Sequence, residues 1–439
     1  MQSMAKDPVT ESGEAQKKLG FFKRNQFVFS LLLPAILLGT GRGFTLPVLP
    51  LIAMGSGKDG FGVGVAGASL MVIAPMAGGV LSTLPTGYII DRFGRRVTLI
   101  GSPLISSASA FMVFFASSYW EFLLYLTIGG VAQQMWQMSR LAAIADSVRS
   151  SERGRQITSM SSMQRIGNMV GPFLGGILGE LVGLRVPFLV FGVLAALAVI
   201  PSYYLIKETA PTVLARRAGS KVVETDISWK TLLTRPVITL FAAQFAANIA
   251  RGGVQGNGGT YFIFLTFAYG VGPAVLGTVM LGTGVVGIPI MMLSGQIMDR
   301  FGRKRQIVPA ATMLGLGISF MAITAAMELP FAAFLAAFIW INIGISMMAG
   351  TMQTLGADIA PAEARGKFFG VNRLIAEAGS LTNPVTFGAM TALLAGGAGF
   401  AGAFGVMAAF AFVAANLVGF GLRETLRKDA PEPEKQASG

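Results

Sequence analysis

A ten-residue phrase is written twice in this chain: Gly87-Tyr-Ile-Ile-Asp91-Arg92-Phe93-Gly94-Arg95-Arg96 returns as Gly295-Gln-Ile-Met-Asp299-Arg300-Phe301-Gly302-Arg303-Lys304. Each copy closes one long apolar run and precedes the next, so the chain is a doubled unit. Each copy also reads as a tight turn in water. Gly87 and Gly295 would allow close helix approach, Asp91 and Asp299 could cap a helix start, and the cations stay solvated. A second pair repeats in the same sense: Ala145-Asp146 through Arg153-Gly154 matches Ala357-Asp358 through Arg365-Gly366. The two offsets, 208 (299 − 91) and 212 (358 − 146), nearly agree, which fixes one register for both halves.

The runs between these turns belong in a bilayer. Of 439 residues, 53% are hydrophobic and 13% charged, half the charge of a soluble domain. Apolar runs of the length a bilayer requires, about 20 residues, fall at about 27–52, 62–90, 97–117, 120–146, 157–181, 186–206, 236–268, 272–298, 306–327, 330–358, 367–394 and 398–421. They are too long, and alternate too little, for β-barrel strands. The expected fold is an all-α membrane protein of twelve transmembrane helices in two pseudo-symmetric six-helix bundles. Glycine suits this environment, because in a membrane it lets helices approach closely.

The net charge of +13 would suggest nucleic acid in a soluble protein, but its distribution argues otherwise. Cations crowd the amino-terminal tail, the even-numbered connections and the carboxy-terminal tail, whereas the odd-numbered connections hold chiefly Lys58 and Arg185. By the positive-inside rule both termini are cytoplasmic, which requires an even number of spans. The expected location is a bacterial inner membrane, with the lipid bilayer as partner, no nucleic acid, and a monomeric state. The polar amino terminus reads as a retained tail, since the first apolar run is too long for a signal-peptide core.

The chain contains neither cysteine nor histidine. Thiol chemistry is excluded, and a proton relay inside the membrane must use Asp or Glu. A nucleotide-binding glycine loop, a metal-ligand cluster and a nucleophile paired with a base are all missing from the sequence, so neither an enzyme, a metal nor a cofactor is expected. Five segments follow: a tail at 1–25, a bundle at 26–206, a polar cytoplasmic linker at 207–235, a second bundle at 236–423, and a tail at 424–439. Parallel repeats of this kind place a substrate cavity between halves that rock to give alternating access.

With its doubled Gly-x-x-x-Asp-Arg-x-Gly-Arg-Arg/Lys turn, the sequence from about 25 to 423 resembles the major facilitator superfamily. Span 5 carries Gly167-Asn-Met-Val-Gly171-Pro172-Phe-Leu-Gly175-Gly176, similar to the pattern of proton-driven drug exporters in that superfamily. Span 1, through Gly41-Arg42-Gly43 and Pro47-Val-Leu-Pro50, resembles that of tetracycline-type exporters. Two positions depart from that branch. Thr127 stands where those exporters usually have an arginine, and span 1 has no acid. The resemblance implies a major facilitator fold and makes Asp91, Arg92, Arg95, Asp299, Arg300, Arg303, Asp146 and Asp358 conformational latches, with Gly87, Gly94 and Gly302 shaping the turns.

Charges at membrane depth mark the candidate site, since an arginine at the centre of a span costs about 3 kcal/mol or more unless it faces a cavity or a partner. Arg42 and Arg251 occupy matching depths in spans 1 and 7, each followed by glycine. They could clamp one anionic group, as arginines of the same spans do in the organophosphate antiporters this chain resembles, or they could bond helix carbonyls. Arg165 and Glu377 are repeat equivalents (377 − 165 = 212), and Arg373 lies one turn before Glu377. Glu377 either carries the coupling proton or forms a static pair with Arg373. Polar stripes at helical spacing, Gln133, Trp136, Gln137 and Arg140 on span 4 and Gln244, Asn248, Arg251 and Gln255 on span 7, line a cavity or hydrogen-bond between helices. Asn342 and Asn372 extend them, while Trp136 and Tyr261 could pack a flat organic group.

The function expected from this pattern is secondary transport of a small organic solute of anionic or amphipathic character by alternating access, as export coupled to protons or another ion. Two alternatives stand beside it: uptake by symport or anion exchange through Arg42 and Arg251, and a non-transporting sensor or lipid facilitator on the same fold.

Overall fold

A computed structural model describes residues 31–55, 60–147, 150–206, 208, 233–255, 259–348, 350–360 and 365–425. The tails at 1–25 and 426–439 and nearly all of the linker lie outside the described residues, as do the side chains of Asp91, Asp146, Arg165 and Gln255. The described chain is helical: α1 Leu33–Thr45, α2 Leu49–Met54, α3 Val65–Phe93, α4 Arg95–Phe115, α5 Tyr119–Ser147, α6 Ser150–Leu181, α7 Val186–Leu205, α8 Arg235–Gln255, α9 Gly259–Tyr269, α10 Pro273–Phe301, α11 Arg303–Ala326, α12 Phe331–Met348, α13 Thr351–Ile359, α14 Arg365–Leu393 and α15 Gly396–Gly421. The described parts of the expected spans fall on these helices.

Among the described residues, two spans expected to be continuous are instead divided. Span 1 breaks between α1 and α2, where Pro47 has no N–H to donate and its ring would clash with the carbonyl four residues back. Span 10 divides into α12 and α13, and Gly350 opens α13 at φ +82°, a conformation open to glycine and costly for residues with a Cβ. In a membrane such breaks are tolerated where neighbours satisfy the freed backbone groups.

Among the described residues, eight helical segments are both long and apolar enough to cross a membrane. The four expected spans that miss this standard are those on α5, α6, α8 with α9, and α14. These carry Gln133 to Arg140, Arg165, Asn248 and Arg251, and Arg373 and Glu377. Polarity that lowers a helix's hydropathy is affordable where the helix faces other protein or water in place of lipid.

Contacts group the chain into two compact units, Met1–Val48 with Ala77–Val223, and Leu49–Met76 with Glu224–Gly439. The expected bundles divided the chain at the linker alone. The segment from Leu49 to Met76 groups with the second unit because α2 packs on α9, and Gly259 and Gly388 lie against Val72 and Ser69.

In the first unit, α1 lies along α6 at near-backbone contact. A Cβ on Gly167 would come within 2.7 Å of Thr40 N, on Gly171 within 2.5 Å of Thr40 O, and on Gly175 within 2.2 Å of Phe44 O. The span 5 motif therefore packs α6 against α1, with a glycine every fourth residue on one face. Gly176 is buried beside it. Trp136, 1% exposed, packs with Leu38, Ile144 and Ala195 in the core of this unit.

The second unit repeats the arrangement with a substitution that matters. Gly379 (167 + 212) still touches backbone, 2.6 Å from Phe245 O, but Gly171-Pro172 is replaced by Asn383-Pro384 (171 + 212 and 172 + 212). Asn383 is fully buried; it donates to Ile249 O at 2.7 Å and accepts from Thr260 Oγ1 at 3.1 Å. One side chain thus bonds both α8 and α9.

Candidate functional site

The two turns have the same backbone. Gly94 (φ 97°, ψ 168°) and Gly302 (φ 110°, ψ 158°) each separate two long helices in a region that is essentially restricted to glycine. The helix start that follows each one is capped by a carboxylate from elsewhere in the chain. Glu208 accepts from Arg95 N at 2.9 Å and Arg96 N at 3.2 Å, and Glu424 accepts from Arg303 N at 2.9 Å and Lys304 N at 3.1 Å. An anion at these orphan N–H groups satisfies them and meets the positive end of the helix dipole.

At the second turn the cap corrects the expected role of Asp299, while the Asp91 side chain lies outside the described residues. Asp299 is exposed at the end of α10 and caps nothing among the described residues, because Glu424 already occupies the start of α11. Gly87 and Gly295 also differ from expectation: a Cβ on either would meet no described atom within 4 Å, so neither marks a close helix approach here. Glu208 and Glu424 were overlooked in the sequence, although a signal was present. Ile206-Lys207-Glu208-Thr209 and Leu422-Arg423-Glu424-Thr425 are one quartet repeated at an offset of 216 (424 − 208).

Around the second turn the structure joins two expected latch residues. Arg303 Nε lies 3.2 Å from Asp358 Oδ2, which also accepts from Thr425 Oγ1 at 2.7 Å. Arg300 is exposed, and Arg92 bonds the Tyr88 hydroxyl. Arg95 contributes its N–H to the Glu208 cap, and its guanidinium reaches Ile90 O.

At membrane depth in the first unit, Arg140, 5% exposed, donates to Gln164 Oε1 at 2.8 Å and to Gln137 Oε1, with Gln137 in turn bonding Gln164. Sequence reasoning missed Gln164, and also Gln134, which bonds Thr83 at 3.1 Å. Gln133 is half-buried on the face of Gln137 and Arg140. Arg42 stands apart from this network. It occupies the last turn of α1, is half-buried, and its guanidinium makes no hydrogen bond or ion pair with any described residue. The negative end of a helix favours a cation there without neutralising it.

In the second unit Arg251 donates from Nε and Nη2 to Asn248 Oδ1 at 3.2 and 3.1 Å. Asn248, 5% exposed, also accepts from Ser380 and donates to Gln244 O. Arg373 Nε and Glu377 Oε1 form an ion pair at 2.9 Å, one turn apart on α14. Asn372 is buried with its Oδ1 unbonded, and Asn342 bonds back to Phe338 O. Tyr261, 1% exposed, stacks on Phe404 with centroids 5.2 Å apart, so its ring is engaged in core packing like that of Trp136.

Doubled helical units with cations and amides at membrane depth define a multi-pass membrane transporter. The chain belongs to the Major Facilitator Superfamily, whose sequence model matches residues 31–384. Its curated relatives include the MFS-type transporter MJ1560 of Methanocaldococcus jannaschii, 24% identical over 381 residues that cover 86% of this chain and 93% of the relative. The multi-drug resistance efflux pump PmrA homolog of Lactococcus lactis is 23% identical over 372 residues, covering 83% and 87%. The quinolone resistance protein NorA of Staphylococcus aureus is 24% identical over 379 residues, covering 83% and 90%. Among solved structures, a D-xylose-proton symporter superposes with a TM-score of 0.71 at 18% identity, covering 91% of this chain and 98% of that one. A peptide transporter POT superposes with 0.69 at 14% identity, covering 90% and 93%. These structural likenesses carry the fold.

Proposed function

We propose that this transporter exports a small organic solute of anionic or amphipathic character by alternating access, in exchange for protons, across a bacterial inner membrane with both termini in the cytoplasm. The observation that carries the proposal is Arg42: a half-buried guanidinium in a membrane helix with no partner among the described residues. Such a group is costly to retain unless a ligand engages it. Its repeat equivalent Arg251 donates to the neutral amide of Asn248, which an incoming carboxylate or phosphate could displace from the guanidinium. The similarity to efflux pumps supports export over uptake.

Glu377 is the proposed proton carrier. Its carboxylate is held by Arg373 Nε at 2.9 Å, and separation of that pair during transport would leave the carboxylate to a proton in place of the guanidinium. Quinolones, the class named for the staphylococcal relatives, are flat carboxylates and make a fitting first probe. Proteoliposomes with an imposed pH gradient should show quinolone-dependent proton movement, abolished in Glu377→Gln. Quinolone binding should fall in Arg42→Ala. Unchanged proton movement in the first variant removes Glu377 from the mechanism, and unchanged binding in the second removes the anion site.

A further inference from the structure

On the second unit, α11 and α15 enclose a groove of about 650 Å³ whose walls are chiefly apolar, with Val308, Pro309, Phe412 and Phe420 among them. Phe420 is 90% exposed, so this wall stands open on the outer side of the helix pair. The groove ends at the start of α11, where Lys304 and Arg305 form its mouth. Arg305 is exposed and bonds no described residue. Lys304 spends one donor on Leu422 O at 3.1 Å, which leaves the ammonium two more. Glu424 is the one acid among the described residues that line the groove, and its oxygens accept from Arg303 N and Lys304 N.

The turn itself does not require this charge pattern. At the equivalent positions of the first repeat stand Arg96 (304 − 208) and Val97 (305 − 208). Arg96 reproduces the Lys304 contact by donating to Tyr203 O at 3.2 Å, but Arg305 has no cationic counterpart. The second cation is therefore an addition to the repeat, placed at the mouth of an apolar groove. The complement of that arrangement is a molecule with an anionic head and an apolar tail. Within the groove, Thr312 lies seven residues along α11 from Arg305, about 10 Å at 1.5 Å per residue. That depth suits the start of an acyl chain below a headgroup held at the mouth.

We propose that this groove binds one anionic phospholipid, its phosphate on Lys304 and Arg305 and one acyl chain running between α11 and α15 towards Phe412. Basic pockets between membrane helices on the cytoplasmic side hold anionic headgroups in this manner. The test uses the full-length chain purified in a neutral detergent, with lipid adducts titrated by native mass spectrometry. Phosphatidylglycerol should bind at least about fivefold more tightly than phosphatidylcholine of the same chains, the contribution of one interfacial cation. The preference should disappear in Lys304→Ala/Arg305→Ala. Gly419→Leu fills the groove without altering charge, since a Cβ there meets only Val308 Cγ2 at 3.6 Å, and it should reduce phosphatidylglycerol binding by a similar factor. Equal affinity for the two lipids, or an unchanged preference in the double variant, overturns the proposal. So does full competition by inorganic phosphate at equal concentration, or phosphatidylglycerol binding that appears only after residues 426–439 are removed, which would make the tail the occupant.

Discussion

Replacing Gly94 with alanine tests the turn, because strain and lost capping enter separately. At φ 97°, ψ 168°, a side chain costs about 1–3 kcal/mol in backbone strain. The added Cβ would also sit 2.1 Å from Glu208 Oε2, so the carboxylate must leave the two N–H groups it caps. A lost cap costs about 1 kcal/mol. Gly94→Ala should therefore destabilise by about 2–4 kcal/mol and Glu208→Ala by about 1. The double variant should match Gly94→Ala alone, because its cap is already gone. For a unit of this size 1 kcal/mol corresponds to about 2–4 °C in Tm. Glu208→Ala should lower the melting temperature in detergent by that amount in the native background and by almost nothing beside Gly94→Ala. Gly302 and Glu424 should behave alike, with a Cβ 2.4 Å from Glu424 Oε2. Additive losses would refute the shared cradle.

Other outcomes follow from the packing. Gly175→Val should fail to fold, or lose well over about 3 kcal/mol, because its Cβ meets backbone at Phe44 that a side-chain shift cannot clear; Gly87→Ala, in open space, should stay within about 0.5 kcal/mol, and detergent Tm measurements check both. Asn383→Leu should lose about 1–2 kcal/mol by stranding Ile249 O and Thr260 Oγ1, and hydrogen exchange should rise at the ends of α8 and α9. Arg42→Leu should raise Tm while abolishing solute binding, since removing an unpartnered guanidinium relieves a cost that the ligand alone offsets; a lower Tm would reveal a structural role.

Much of the site was legible as a set of residues and far less as a set of partners. Gln137 and Arg140 do share a face, as their spacing of three requires, and the Arg373–Glu377 pair follows from a spacing of four. The same periodicity placed Trp136 on that polar stripe, yet its ring packs in the core, because spacing reports which way a side chain leaves its own helix and not what another helix brings to meet it. The glycines of the turns and of span 5 looked alike in sequence. Contact with α1 separates them: a Cβ on Gly171 or Gly175 would meet backbone, whereas one on Gly87 would meet no described atom within 4 Å.

The sequence by itself determined that the chain is doubled, helical and membrane-embedded, because apolar run length, repeat offset and cation distribution are properties of local stretches that water and lipid sort in the same way in any fold. Only the tertiary structure decided which groups satisfy one another. Glu208 reaches a helix start 113 residues away, and Asn383 bonds a helix carbonyl 134 residues before it. Hydrogen bonds of that range leave no periodic trace, since they depend on where two helices cross, and the crossing is set by the packing of every side chain between them.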